Sequence, residues 1–131
     1  MNQGRLRDVP FFSTMSKKEL AVVAQQTDEI DVPAGKVLAW EGDFGDEFFV
    51  IDDGTAEVTR GGERIAELGP GHFFGELALL EAERRNATVT ATSPMRLVVM
   101  TRANFRALDR SSPKVHETVA RAIAERRPQV A

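Results

Sequence analysis

Glycine-containing turns divide the middle of this chain into short apolar runs, and this pattern constrains the fold more than any other feature. The turns recur about every 8–12 residues, and they are Pro33-Ala34-Gly35, Glu41-Gly42-Asp43, Asp52-Asp53-Gly54, Gly61-Gly62 and Gly69-Pro70-Gly71. The runs between them alternate apolar and polar residues or are rich in β-branched and aromatic side chains, which favours strands. The pattern predicts short antiparallel strands over about residues 27–101, arranged as a sandwich or barrel.

A helix is predicted before the strands. Ser16 can accept a hydrogen bond from the first turn and Glu19 can reach back to the Ser16 N–H, which together form a capping box. Apolar residues then recur at helical spacing, at Leu20 and Val23. We therefore predict a helix over about residues 17–26.

Two helices are predicted after the strands. Thr101 can cap a helix over about residues 102–109. Ser112 and Pro113 can begin a second helix, over about residues 113–126, with serine as the cap and proline in the first turn. The apolar stripe of this last helix consists of Val115, Val119 and Ile123. The sequence leaves open whether the stripe packs on the strands or across a homodimer.

Length and composition exclude several classes of protein. The 131 residues fit a single domain, residues 1–131. Without cysteine the chain has no disulfide or thiolate site, and its two histidines are a poor metal-ligand set. We therefore expect no catalytic residues, no metal and no enzymatic activity. The net charge of −3 gives no reason to expect nucleic-acid binding. No apolar run suits a membrane span or a signal peptide, so we expect a cytoplasmic protein without a membrane partner.

One segment reads as a short helix where a turn between strands would suffice. It begins at Gly75, which has no side chain to block the approach of an anion. It ends near Arg85, whose guanidinium would supply a full positive charge. At the helix start, we expect the backbone N–H groups of Leu77, Ala78 and Leu79 to lack intrahelical partners. After the arginine, the N–H groups of Asn86 and Ala87 can point at the same spot and complete a ring of donors. The segment predicts a compact anion site.

The residue types at this site restrict the anion. One arginine with several N–H groups suits a singly charged phosphodiester. A triphosphate would require a lysine-bearing glycine loop, and the motif G-x-x-x-x-G-K-[ST] does not occur in the sequence. Glu76 is unfavourable beside an anion unless its carboxylate binds a neutral group, such as a ribose hydroxyl. A phosphate and a ribose hydroxyl held this close together describe a cyclic nucleotide.

The segment matches a known motif. Gly75-Glu76-Leu77-Ala78-Leu79-Leu80, followed by Arg85-Asn86-Ala87-Thr88-Val89, resembles the phosphate-binding cassette of cyclic nucleotide-binding domains. That family includes the sensor domains of cyclic-AMP-dependent protein kinase regulatory subunits, of catabolite activator proteins and of cyclic-nucleotide-gated channels. The resemblance covers nearly the whole chain. It implies a mainly β fold with flanking helices: a double-stranded β-helix (jelly-roll) barrel with a short phosphate-binding helix in the cassette, residues 75–89, an N-terminal helix and two C-terminal helices.

The resemblance also implies roles for individual residues. Glu76 would bind the ribose 2′-hydroxyl and Arg85 the cyclic phosphate. Val58 and Ile65 match strand positions that face the nucleotide. The backbone donors that would complete the phosphate cradle beside Gly75 and Leu77 are Ala78, Asn86 and Ala87.

Two features depart from the pattern of the family. Asn86 stands where the family usually has alanine, serine or threonine. A hydroxyl at that position often contacts guanine, whereas alanine usually accompanies cyclic AMP. The last helix also lacks an aromatic residue that could stack on the purine. The expected ligand is cyclic AMP, and the residues leave cyclic GMP open.

The leading hypothesis is a sensory module that binds a cyclic purine nucleotide, needs no cofactor and relays occupancy through its C-terminal helices to an unidentified protein effector. The alternative is a degenerate fold that serves as a structural or interaction module without nucleotide. The residues after the last predicted helix leave no room for a DNA-binding helix-turn-helix. We expect either a stand-alone protein or a sensor domain of a longer chain, without direct nucleic-acid binding.

Overall fold

The computed structural model describes residues 1–80 and 83–125, and these residues form a mainly β structure with helices at both ends. The helices are α1 (Gln3–Arg7), α2 (Lys17–Ala24), α3 (Leu77–Leu80), α4 (Arg102–Ser111) and α5 (Pro113–Glu125), with a 3₁₀ turn at Pro10–Phe12. The strands are β1 (Asp28–Val32), β2 (Val37–Ala39), β3 (Phe44–Gly45), β4 (Glu47–Asp53), β5 (Ala56–Arg60), β6 (Glu63–Leu68), β7 (Phe73–Phe74), β8 (Glu83–Arg84), β9 (Thr88–Ala91) and β10 (Met95–Thr101).

The strands form two larger sheets and one small one. The order is β1-β10-β4-β7 in one four-stranded sheet and β2-β9-β5-β6 in the other, and β3 pairs with β8 in a two-stranded sheet. Every pairing is antiparallel, as the glycine-punctuated pattern predicts. The described ladders do not close into a ring, so the jelly-roll barrel stays a prediction.

The predicted helices are present, with small differences at their ends. At α2, the Ser16 hydroxyl accepts from the Glu19 N–H and the Glu19 carboxylate accepts from the Ser16 N–H, so the predicted capping box is confirmed. At α4, Thr101 forms a second capping box with Asn104, and the helix continues to Ser111, beyond the predicted end. The helix predicted for 113–126 is described to Glu125, and residue 126 lies outside the described residues.

Two apolar clusters explain why β4 and β10 each contain four consecutive buried residues. Side chains alternate between the faces of a strand. On β4, Phe48 and Val50 therefore pack in the cluster that the helices cover. Phe49 and Ile51, the residues in between, pack in the cluster that contains side chains of the second sheet. A strand buried on both faces reads as a continuous apolar run, and this is the pattern of β10 in the sequence.

The apolar stripe on α5 belongs to the cluster that the helices cover. Val115, Val119 and Ile123 are all buried, together with residues of α1, α2, α4 and the first sheet. The stripe therefore packs within the chain, on the strands and the other helices, rather than requiring a second copy. No helix within the described ranges has the length and apolar character of a membrane span.

Candidate functional site

The cassette lies where β7 turns into α3. Gly75 has a φ of +80°, a backbone conformation that glycine adopts readily and that L side chains resist. The four-residue α3 follows, as predicted. Phe74, just before the turn, stacks on Phe49 with ring centroids 4.8 Å apart, which fixes the base of the site on the core.

The side chain of Arg85 lies between two glycines. A Cβ atom built on either Gly45 or Gly75 would approach the Arg85 guanidinium closer than 3.0 Å. The guanidinium Nη2 donates to the carbonyl oxygen of Glu47, 2.9 Å away. The absence of a side chain at both glycine positions therefore creates the channel that this arginine occupies.

The backbone of Arg85 is held by the loop between β2 and β3. The Arg85 N–H donates to the carbonyl of Asp43 at 2.7 Å, and the Gly42 N–H donates to the carbonyl of Arg85 at 2.8 Å. This exchange continues the ladder of β3 and β8 by one residue pair. Arg85 is thus positioned through both its main chain and its side chain before any ligand arrives, so little order has to be gained on binding.

Several charges act on the Arg85 guanidinium. Burial lowers the pKa of Arg85, while the nearby carboxylates of Glu47, Asp46 and Glu76 raise it. Arginine stays protonated at neutral pH in either case. The Glu76 side chain is only 5% exposed. The site therefore combines a partly buried cation with a nearly buried acid.

A cavity of about 90 Å³ opens onto these groups. Among the site residues predicted from the sequence, those that line it are Gly75, Glu76, Leu77, Ala78, Arg85, Asn86 and Ala87. The other lining residues, not named in the prediction, are Ala39, Phe74, Arg84 and Val89. Residues 75–78 and 85–87 therefore line one cavity, with the Arg85 guanidinium beside Gly75.

Two predicted ligand-facing residues are not among the lining residues. Val58 is fully buried in the cluster between the sheets, where strand pairing places it opposite Val89. Ile65 lies on β6 and is 37% exposed. Their proposed contact with a nucleotide stays a prediction.

The expectation of unpartnered N–H groups at the start of α3 is wrong in part. The Ala78 N–H donates to the Gly75 carbonyl and the Leu79 N–H donates to the Glu76 carbonyl, each at 3.1 Å. These bonds span three residues and tighten the first turn, a common arrangement at helix ends. An anion would have to share the Ala78 N–H with the Gly75 carbonyl.

Sequence reasoning missed how the site connects to α4. The Nε of Arg102, the first residue of α4, donates to the Ala78 carbonyl at 2.9 Å. Its N–H donates to the Asp46 carbonyl, also at 2.9 Å. Asp46 precedes Glu47, whose carbonyl binds Arg85. The sequence does show a basic residue directly after the Thr101 cap. It gives no indication of the hydrogen-bond partner, which lies 24 residues away in the chain.

The described residues contain no group of three or more histidine, cysteine, aspartate or glutamate side chains placed to hold a metal ion. The polar side chains that line the cavity are instead one acid, two arginines and one asparagine, beside backbone groups. Such a set is chemically suited to an anion and a neighbouring hydroxyl group.

Comparison with known proteins agrees with this geometry. The family described as "Cyclic nucleotide-binding domain" matches residues 29–112. The chain is 35% identical over 119 residues to a cyclic nucleotide-gated potassium channel of Rhizobium etli, covering 91% of this chain and 33% of the channel. It is 35% identical over 104 residues to the cAMP-dependent protein kinase regulatory subunit of Schizosaccharomyces pombe, covering 79% of this chain and 25% of that protein.

A solved structure is also similar. The catabolite activator protein of Thermus thermophilus superposes with a TM-score of 0.74 and 30% identity, covering 89% of this chain and 57% of that one. The chain spans about a third or less of the two curated relatives described above. Those relatives are a channel and a kinase regulator. The match over residues 29–112, together with these similarities, shows that the chain belongs to the cyclic nucleotide-binding domain family.

Proposed function

We propose that the cavity beside α3 binds the phosphate and ribose of a cyclic purine nucleotide, and that the ligand is cyclic AMP. The observation that carries this proposal is the placement of Glu76 and Arg85 on one cavity, the acid nearly buried and the cation partly buried. The guanidinium neutralises the phosphodiester, and the carboxylate accepts a hydrogen bond from a ribose hydroxyl. Cyclic GMP is the competing ligand, since Asn86 can both donate and accept.

The size of the cavity supports a division of the ligand into two parts. At about 90 Å³, it is smaller than the roughly 300 Å³ or more of pockets that enclose a whole drug-sized ligand. In the proposed complex it holds the phosphate and part of the ribose, and the base extends over the rim.

The arrangement of the two larger sheets as a jelly roll is part of the same proposal. It is supported by the apolar cluster to which both sheets contribute.

We further propose that occupancy is relayed from the cassette to the C-terminal helices and then to a separate protein effector in the cytoplasm. Arg102 supports this route, because it binds the carbonyl of Ala78 in α3 and begins α4. A shift of α3 on binding would move a hydrogen-bonded partner in α4. The degenerate fold that binds no nucleotide remains the competing function.

Isothermal titration calorimetry with cyclic AMP and with cyclic GMP tests the proposal. We expect cyclic AMP to bind, and Arg85→Ala to weaken binding by more than about 2 kcal/mol, because the phosphate loses its charge partner. Arg7→Ala is the matched control, since Arg7 is exposed on α1 and is not among the cavity residues. Absence of binding by both nucleotides at millimolar concentration would favour the degenerate fold. Unchanged affinity in Arg85→Ala would contradict the assigned site.

A further inference from the structure

A second arginine lies at the rim of the cavity and is held in place by an aromatic ring. Arg84 is paired with Phe44 across the β3–β8 sheet. Its guanidinium carbon lies 4.3 Å from the centroid of the Phe44 ring, within the range of a cation–π contact. Its Nη1 donates to the carbonyl of Gly42 at 2.8 Å. Arg84 is among the residues that line the cavity, as Arg85 is.

Acidic side chains near Arg85 make a second cation at the cavity favourable for anion binding. The carboxylates of Glu47, Asp46 and Glu76 all act on the Arg85 guanidinium. An anion that enters the cavity is attracted by Arg85 and repelled by these acids. A cation with acids near it attracts a phosphodiester less strongly than the same cation without them.

The guanidinium of Arg84 contacts groups other than carboxylates. Among the side chains that the structure describes, those of residues 1–79 and 84–125, the ion pairs do not include Arg84. The guanidinium instead contacts a backbone carbonyl and an aromatic face, and neither of these groups carries a formal negative charge. They also restrict a side chain that would otherwise sample many rotamers.

We propose that Arg84 is a second anion-binding residue of the cavity and that Phe44 is its positioning residue, an inference that rests on the proposed function. Arg84 supplies the positive charge that offsets the acids around Arg85. Phe44, which is 64% exposed, contributes its ring face rather than core packing.

The position of Arg84 at the rim predicts how its contribution to affinity depends on salt. Arg84 is exposed, so its attraction for the ligand is screened by salt, whereas the partly buried Arg85 is screened less. We expect Arg84→Ala to weaken binding of cyclic AMP by about 2–5-fold at low salt. The loss should shrink as the salt concentration rises toward about 0.5 M.

The test is a titration of cyclic AMP against the unaltered chain, Arg84→Ala, Phe44→Leu, Phe44→Tyr and the double variant Arg84→Ala/Phe44→Leu, at low and high salt. Phe44→Leu should weaken binding, Phe44→Tyr should retain it because the ring is kept, and Phe44→Leu should add nothing in the Arg84→Ala background. Arg7→Ala removes the same charge from a surface outside the cavity and should leave affinity unchanged. Thermal unfolding of each variant separates loss of folding from loss of binding.

Each other outcome overturns the inference. If Arg84→Ala binds like the unaltered chain at low salt, Arg84 is not an anion-binding residue, while the proposed function survives. If Phe44→Leu and Arg84→Ala have additive effects, Phe44 does not act through Arg84. If the unaltered chain binds no cyclic nucleotide, the proposed function fails and this inference fails with it.

Discussion

Gly75 and Arg85 approach so closely that a side chain at position 75 has no room. A Cβ on Gly75 would lie 2.6 Å from Arg85 Nη1 and 2.6 Å from the Glu47 carbonyl oxygen. The second contact is with backbone, which cannot rotate away. The glycine of the cassette therefore allows the turn and also leaves space for the Arg85 guanidinium, so the two residues form one unit of the site.

Gly75→Ala should reduce both stability and nucleotide binding. A non-glycine residue at a φ of +80° is strained by about 1–3 kcal/mol, and the Cβ must also displace Arg85 or the Glu47 carbonyl. Gly35→Ala is the matched control, because Gly35 has a φ of +88° with open space around its Cβ. Chemical denaturation and calorimetry should show lost stability in both variants and lost binding in Gly75→Ala alone. Equal affinity in the two variants would contradict the proposed unit.

Arg102→Ala should loosen the connection between the cassette and the C-terminal helices. The change removes the Nε donor to the Ala78 carbonyl, and we expect a loss of about 1–2 kcal/mol in the free energy of unfolding. Arg106→Ala is the control, since Arg106 is exposed on the same helix. Hydrogen exchange should become faster in α3 and at the start of α4 in Arg102→Ala only. Identical exchange in both variants would remove Arg102 from the proposed relay.

The α2 capping box should make stability depend on pH in the acid range. The hydrogen bond from the Ser16 N–H holds the pKa of Glu19 below its ordinary value of 4.5. A lowered pKa in the folded state means that the stabilisation is complete above the unfolded pKa and is lost as the pH falls through the folded value. Glu19→Gln can still accept the hydrogen bond but does not titrate.

Urea denaturation of the unaltered chain and of Glu19→Gln from about pH 6 to pH 3 checks this expectation. The unaltered chain should lose more stability over that interval than the variant. Parallel curves would show that Glu19 does not contribute to the acid sensitivity.

Val58 and Ile65 should behave differently when shortened to alanine. Val58 is fully buried, so Val58→Ala should cost about 1–3 kcal/mol of stability. Ile65 is 37% exposed, and Ile65→Ala should leave stability nearly unchanged. If Ile65 contacts the nucleotide as the family resemblance implies, its variant should lower affinity for cyclic AMP without lowering the melting temperature. Unchanged affinity in Ile65→Ala would remove that residue from the site.

The sequence predicted the local features of the fold well because each depends on neighbouring residues. Ser16 and Glu19 lie three positions apart, and their capping box is present in the structure. The antiparallel strands follow from the spacing of turns, and the cassette follows from the order of residues around Gly75 and Arg85. The unpaired N–H group expected at Ala78 was wrong, because a tightened first turn satisfies it. Hydrogen bonds at helix ends depend on turn geometry that residue types alone do not specify.

The amino-acid order alone determined that this chain forms short antiparallel strands between capped helices, and it placed a glycine, an acid and an arginine at the spacing that we predict for an anion site. Periodicity and capping act over a few residues, so they can be recognised in a linear sequence. Only the tertiary structure decided where the arginines point. Arg85 donates a hydrogen bond to the carbonyl of Glu47, 38 residues away in the chain. Arg84 pairs with Phe44 across the short ladder of β3 and β8. Those contacts arise when packing of the sheets brings distant loops together, and pairing over such distances leaves no periodic signal in the sequence.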